Sequence, residues 1–463
     1  MAISFPLDKS RLQLERTDPA VRLPEFDTFG KTPTSIMAEL QDNDDAINKS
    51  EESKPELTKY LTVTLPGPDG SPEADAVLAL DEDTTKHPRL AKIVKNSTSK
   101  TASSTSEVRE THVVLSVGSG HQKAAVFYED CVGPLLATLY PNDHQDFHVH
   151  TTQSATSVTE LANDLFFTRA NAGTALRIIV LSGDGGIIDL VNGLSSHTTS
   201  PSYIAPQVVL VPLGTANALY HSINAGKENI WGLTALASSQ TRPLPVFTAS
   251  FSPGARLLTN EARSEEELPA DFSSGQPSLH GAVVCSWGMH ATLVADSDTA
   301  EYRKFGVERF KMAAKEALYP ADGSAAHAYK AKVSVLKGET WTPLEENEHM
   351  YILATMVSNL EQPFCISPHS KPLDGSLHLV HFGPTSGDEA MRLMGLAYQG
   401  GKHIEDPTVN YEAIDGLRIE FDGREGDARW RRICIDGKIV RVEKDGWVEL
   451  RKDTRQVLDI VVV

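Results

Sequence analysis

The sequence predicts an α/β fold in which a doubly wound amino-terminal domain is followed by a mainly antiparallel, β-sandwich-like carboxyl-terminal domain. Three observations carry the prediction. From His112 to about Arg242, short apolar runs alternate with amphipathic stretches that recur at three and four residues, the pattern of an open sheet covered by helices. After Arg242 the texture changes to strand-length segments separated by turns. The chain has 463 residues, room for more than one core, since single cores stop growing near about 250–300 residues.

Residues 1–95 read as an acidic, partly ordered extension, with polar and acidic runs at Gln41–Lys54 and Asp81–Thr85. Residues 96–110 contain the aperiodic Ser/Thr run Asn96–Ser106 and read as a linker. The α/β domain is expected over 111–240. Within it His112–Val117 reads as a strand. His121–Leu139 reads as a helix with Ala124, Phe127, Cys131, Leu135 and Leu139 on one face and a kink at Pro134. Phe147–Thr151 is a weaker strand, and Ser157 with Glu160 forms a capping-box pattern ahead of another helix. Leu176–Leu181 and Val208–Val211 read as buried strands, each running into a glycine-containing turn and then a helix.

The β-rich domain is expected over 241–463. Its strands read as Leu244–Phe251, Ala282–Trp287, Ala331–Leu336, Met350–Met356, Leu377–Phe382, Leu417–Phe421, Arg432–Ile435 and Lys438–Val442. Helices are expected at Thr299–Leu318 and Asp388–Gln399. Ser252–Ser278, rich in Glu, Pro, Ser and Gly, reads as a mobile surface insertion.

Composition excludes several functions. A net charge of -19 argues against nucleic acid as partner, because phosphate-backbone affinity rests on Lys and Arg. The four cysteines, Cys131, Cys285, Cys365 and Cys434, are scattered without a paired spacing, so they read as reduced thiols rather than a zinc site or disulfide framework. The amino terminus lacks a basic and apolar leader, and no apolar run is long enough to span a bilayer. A cytoplasmic protein without a transmembrane segment is the expectation.

Three turns concentrate the chemistry. Ser182-Gly183-Asp184-Gly185-Gly186 follows the clearest buried strand; glycines there let backbone approach a ligand, and the next helix offers free N–H groups to an anion. Asp184, held between the glycines, has the chemistry to accept a hydroxyl proton or to help hold Mg²⁺. Pro212-Leu213-Gly214-Thr215-Ala216-Asn217 repeats the arrangement one strand later, and Gly118-Ser119-Gly120 follows the first strand. Each turn alone is an ordinary strand-to-helix connection with a capping side chain. Three on consecutive strand ends point to a nucleotide site at the carboxyl edge of the sheet.

Here the sequence resembles the diacylglycerol kinase catalytic-domain superfamily, and in particular its sphingosine and ceramide kinase branch. The resemblance rests on Gly183-Asp184-Gly185, Asp189 and Asn192-Gly193-Leu194, on Pro212, Gly214, Thr215 and Asn217, on Ser286-Trp287-Gly288 with Tyr302-Arg303, Gly306 and Arg309-Phe310, and on Ile435-Asp436-Gly437. It runs from about His112 to Leu450. It implies that Asp184 is the general base toward a lipid hydroxyl and a metal contact. Gly118, Ser119, Gly120, Gly183, Gly185, Gly214, Thr215, Asn217, Asp436 and Gly437 would line bound ATP, with Asp189 near its ribose or base. Arg303 and Arg309 would reach the phosphates, which requires a bend near Gly306. Thr292 stands where sphingosine kinases carry an amine-binding Asp; Asp296 and Asp298 follow closely as substitutes, and Met289 and Leu293 are expected against the lipid chain. Lys438 stands where the family has Glu.

The expected activity is therefore transfer of the ATP γ-phosphoryl group, with Mg²⁺, to a sphingoid base (sphingosine or sphinganine) or diacylglycerol-type lipid by an enzyme that associates peripherally with intracellular membranes. Two other readings compete: a catalytically silent lipid-binding relative, and an NAD kinase-like small-molecule kinase, which shares the Gly-Asp-Gly turn.

Overall fold

The computed structural model describes residues 59–66, 72–80, 89–95, 109–139, 147–227, 229–236 and 238–463. The acidic runs Gln41–Lys54 and Asp81–Thr85 and the Ser/Thr-rich run 96–106 lie outside them. The chain forms two units, one holding residues 105–128 and 142–463, the other residues 3–104 and 129–141. In the second unit Lys59–Pro66, Pro72–Leu80 and Arg89–Lys95 form an antiparallel sheet in chain order.

The first unit begins with a parallel sheet of β1 (Glu110–Leu115), β2 (His148–Thr151), β3 (Leu176–Ser182) and β4 (Gln207–Pro212) in the order β2-β1-β3-β4. All seven residues of β3 are buried, consistent with its run of Ile, Val and Leu between two covered faces. Strand order reverses between β1 and β3, so the turns that follow these two strands meet at the switch point of the sheet. Helix α1 (Asp184–Leu194) follows β3 and buries Ile187, Ile188, Leu190, Val191 and Leu194; the shorter α2 (Ala218–Ile223) follows β4.

Two features of this domain depart from the sequence expectation. The helix read as continuous over 121–139 is Ala124–Phe127, a wide π turn at Tyr128–Val132, and Gly133–Leu139, so the irregularity falls just ahead of Pro134. The sheet's fifth strand, Asp459–Val461, comes from the far end of the chain and lies parallel to β4, with Thr241–Pro243 antiparallel beyond it.

The carboxyl-terminal domain packs an eight-stranded antiparallel sheet against a six-stranded one. Their inner faces share a core that includes Phe247, Phe251, Trp287, Ile352, Leu379 and Phe421, and the Trp287 indole N–H donates to the Trp430 carbonyl at 2.8 Å. Ser252–Ser278 is not a featureless insertion. It contains the hairpin Arg256–Thr259/Ser264–Glu267, which joins the edge of the larger sheet by pairing with Lys438–Arg441.

Three helices complete the domain: α3 (Met289–Asp296), α4 (Glu308–Leu318) and α5 (Gly387–Ala397). The sequence reading missed α3, because Met289, His290, Ala291, Thr292 and Leu293 are all buried and leave no polar stripe. A short helical turn at Ala300–Arg303 precedes α4, and Gly306, at φ +54°, makes the expected bend between them. The α/β sheet and the sandwich are joined through polar side chains of α1. Asn192 donates from its amide nitrogen to the His280 carbonyl at 2.8 Å and accepts from the His280 N–H at 3.0 Å; Asp189 pairs with Lys438 at 2.7 Å.

Candidate active site

The three glycine turns pack on one another. The Gly183 N–H donates to the Ser119 hydroxyl at 3.2 Å, and the Leu213 N–H to the Ser182 carbonyl at 3.0 Å. A Cβ on Gly120 would lie 2.3 Å from the Leu213 carbonyl oxygen, and one on Gly183 would lie 2.7 Å from the Gly214 Cα. These glycines are needed for close backbone approach between the turns. Gly118 and Gly185 differ, since a Cβ at either would meet nothing within 4 Å. They face open space at the mouth of the switch-point crevice, where a ligand could approach the backbone.

Asn217 closes the third turn. In the left-handed conformation at φ +53°, it accepts from the Gly214 N–H at 2.9 Å and donates to the Gly214 carbonyl at 3.1 Å. Thr215 is half-buried beside it. Gly214→Ala would place a Cβ 2.3 Å from the Gly183 Cα and 2.9 Å from the Asn217 amide oxygen. Backbone on one side cannot yield, so the variant is expected to lose about 1–3 kcal/mol of stability and to bind nucleotide more weakly. Thermal melting and ATP titration would check this, and unchanged ATP affinity would contradict it.

Asp184 opens α1, and its carboxylate reaches across to the start of α2, where it accepts from the Ala218 N–H at 2.8 Å and the Leu219 N–H at 2.9 Å. Each oxygen takes one bond and keeps a lone pair for a further donor or a cation. Burial pushes the carboxyl above its usual range, while the two N–H bonds pull in the opposite direction. The result is a carboxylate fixed in orientation and more basic than an exposed one.

Asp184 lines an apolar cavity of about 180 Å³ that extends into the sandwich domain. Ala216 and Ala218 flank it on the α/β side. The far walls are His290, Leu293 and Val294 of α3, Phe310 of α4, Tyr351, Leu360, Glu361, Phe364, and Met394 of α5. His290 shares a 2.7 Å hydrogen bond with the Ser286 hydroxyl, and burial lowers its pKa to about 4, so it adds no charge at neutral pH. Arg309 and Asp298 also line the cavity, 3.6 Å apart, and the buried Arg309 Nε has no hydrogen-bond partner. An orphaned guanidinium donor in the cavity that holds Asp184, together with the open glycines and the amino end of α1, fits a phosphate group.

Several residues named from sequence stand elsewhere. Arg303 does not line the cavity; it is largely exposed and paired with Asp298 at 2.9 Å, so both arginines converge on that carboxylate. Thr292 is buried under α3 and accepts from the Tyr329 hydroxyl at 2.8 Å, and Met289 is buried in the domain interior. Asp296 is held by Arg429 and Arg432, each at 2.7 Å. Of the expected lipid contacts Leu293 and Asp298 line the cavity, Asp298 with both arginines on it. Asp189 is occupied by Lys438.

Asp436 and Gly437 do line the cavity, but the Asp436 carboxylate turns inward. It accepts from the Ala282 N–H at 2.6 Å, the Val283 N–H at 3.1 Å and the Val284 N–H. It thus supports the wall opposite Asp184 rather than reaching into the space. Sequence reasoning missed Glu361, Leu360 and Phe364. Their one local signal is a carboxylate set between two large apolar residues in Leu360-Glu361-Gln362-Pro363-Phe364. Among the described residues no cluster of three or more His, Cys, Asp or Glu could hold a metal by itself, so Mg²⁺ would need phosphate and water oxygens besides Asp184. No helix among them is long and apolar enough to cross a membrane.

Comparison with known proteins bears on the fold and on the kind of enzyme. Residues 111–249 match the family described as diacylglycerol kinase catalytic domain. Sphingosine kinase 1 of Mus musculus is 24% identical over 295 residues, 58% of this chain and 72% of that protein. Sphingosine kinase 1 of Homo sapiens is 23% identical over 358 residues, 71% and 85% of the two chains. Among solved structures, a diacylglycerol kinase from Bacillus anthracis str. Sterne shares the fold, with a TM-score of 0.50 at 16% identity over 77% of this chain and 98% of that one.

Proposed function

We propose that this chain, a lipid kinase similar to the sphingosine kinases over a diacylglycerol kinase catalytic domain, transfers the γ-phosphoryl group of ATP to the hydroxyl of a sphingoid base or diacylglycerol-type lipid. The observation that carries this reading is that Asp184 stands both at the glycine turns and at the end of the apolar cavity. One carboxylate therefore borders a place for phosphate and a place for an alkyl chain.

ATP with Mg²⁺ supplies the electrophilic phosphorus and the leaving group. The protein's part is positioning and charge. Asp184, oriented by the Ala218 and Leu219 N–H groups, takes the proton of the lipid hydroxyl as its oxygen bonds to the γ-phosphorus and the bond to ADP breaks. Arg309, with one free donor, neutralises charge on the transferred group. Gly118 and Gly185 leave backbone open to the phosphates. The walls from Leu293, Val294, Phe310, Leu360 and Met394 exclude water and take the alkyl chain. The lipid is reached by peripheral docking on an intracellular membrane surface.

Incubation of the pure protein with labelled ATP, Mg²⁺ and a panel of sphingoid bases, diacylglycerols and NAD tests this. Label in one lipid, lost in Asp184→Asn, supports it. Lipid binding without turnover would favour a silent binding module, and label in NAD a small-molecule kinase.

A further inference from the structure

Asp436-Gly437 is a two-residue turn between the strands Arg432–Ile435 and Lys438–Arg441, which pair Ile435 with Lys438 across it. Asp436 at φ +49° and Gly437 at φ +92° form the left-handed pair that a tight hairpin requires, and the Asp-Gly sequence supplies it. The three N–H groups that the Asp436 carboxylate binds fix this turn to Ala282–Val284. The backbone of Lys438 is therefore set at the cavity edge, directly after Gly437, which lines it. From there its Nζ donates to Asp189 Oδ1 at 2.7 Å. Asp189 lies four residues after Gly185 on α1, so the two share a helix face, about 5–6 Å apart at the side-chain positions. Gly185 faces open space. The ammonium is thus anchored one helical turn from a backbone position that phosphate can approach.

We propose that Lys438 binds a phosphate group of the nucleotide and that Asp189 holds its ammonium ready for that contact. This rests on the lipid-kinase reading and adds to it a phosphate-binding residue from the sandwich domain. Asp184 and Asp436 line the cavity and Asp189 stands one turn along α1, so a polyphosphate settles among these carboxylates only against cations. Arg309 meets it from α4 but is shared with Asp298 at 3.6 Å; Lys438 meets it from the side of α1. An ammonium has three donors and Asp189 takes one, so a phosphate oxygen is reached without giving up the pair. The Lys438 side chain is 30% exposed, which leaves it room to do so. A role confined to joining the two domains explains less. A part-exposed ion pair contributes little to stability, and Asn192 with His280 already ties α1 to the sandwich by two hydrogen bonds.

The test measures equilibrium binding of ATP and of adenosine, each with Mg²⁺, to the wild type, Lys438→Met, Lys438→Glu and Lys438→Arg, beside the labelled-lipid assay. Lys438→Met is expected to bind ATP roughly 10-fold more weakly, because a charge-assisted hydrogen bond is lost. Lys438→Glu should bind it more weakly still, and Lys438→Arg nearly as the wild type does. Adenosine affinity should be the same in all four, since only phosphate meets the ammonium. Equal ATP affinity in the wild type and Lys438→Met overturns the assignment. A parallel loss of ATP and adenosine affinity also overturns it, as the mark of a residue that only joins the domains. In both cases label in a lipid keeps the kinase reading standing. ATP binding that depends on Lys438, with no lipid labelled, overturns the kinase reading and leaves Lys438 in place; a wild type that binds no ATP overturns both.

Discussion

Asp184→Asn is expected to lower kcat by about 10²- to 10⁴-fold, the usual contribution of a positioned general base, with KM for lipid and nucleotide little changed. The carboxamide has nearly the shape of the carboxylate but takes no proton at neutral pH. It also places an NH₂ where an acceptor now faces the Ala218 or Leu219 N–H. That donor-to-donor conflict should cost roughly 1–3 kcal/mol of stability, visible as a lower melting temperature in a protein that still folds. The wild-type rate should fall on acidification at a pH above the usual carboxylate range, because burial raises the Asp184 pKa and the protonated group is not a base. A kcat within tenfold of wild type would remove Asp184 from the chemistry.

Asp436→Ala is expected to be the most destabilising polar substitution in the sandwich domain, costing on the order of 3–5 kcal/mol in urea or thermal unfolding. The carboxylate is the acceptor for three consecutive backbone N–H groups, those of Ala282, Val283 and Val284, and alanine leaves all three buried without it. Val283 and Val284 line the cavity, so activity should fall with stability. The pH dependence has a definite sign. Burial raises the Asp436 carboxyl from 3.8 to about 7, against the pull of the three N–H groups and with Asp184 adding repulsion. The folded protein therefore holds a proton that the unfolded chain releases near pH 4. The stability this confers is fully present below about pH 4 and is lost as pH rises through about 7. In the alanine variant this slope should vanish; a wild-type slope there would assign it to another group.

Much of the fold was legible because its signals are local. The eight strands read after Arg242 all appear in the two sheets, since alternation of apolar residues survives within each segment. The glycine turns were legible for the same reason, as were Asp184 and the bend at Gly306. Other features depend on distant partners. Helix α3 shows no amphipathic stripe, because its first turns are buried on all sides. The hairpin at Arg256–Glu267 reads as a polar surface segment until Lys438–Arg441 is placed beside it. The last strand, Asp459–Val461, cannot be assigned to the parallel sheet without knowing that β4 offers an edge.

The sequence by itself determined the kind of chemistry, because a buried strand, the glycine turn at its end and the carboxylate in that turn are specified within a few residues, whereas the Gly214 backbone and the Ala218 and Leu219 N–H groups that hold the turn come from the next strand's loop. Only the tertiary structure decided which side chains line the cavity. The cavity is assembled from residues as far apart as Asp184, His290, Glu361, Met394 and Asp436, and the packing of whole elements sets which of them point inward. By that packing Thr292 and Asp296 were turned into structural partners, Arg303 was left outside, and Glu361 was brought to the wall.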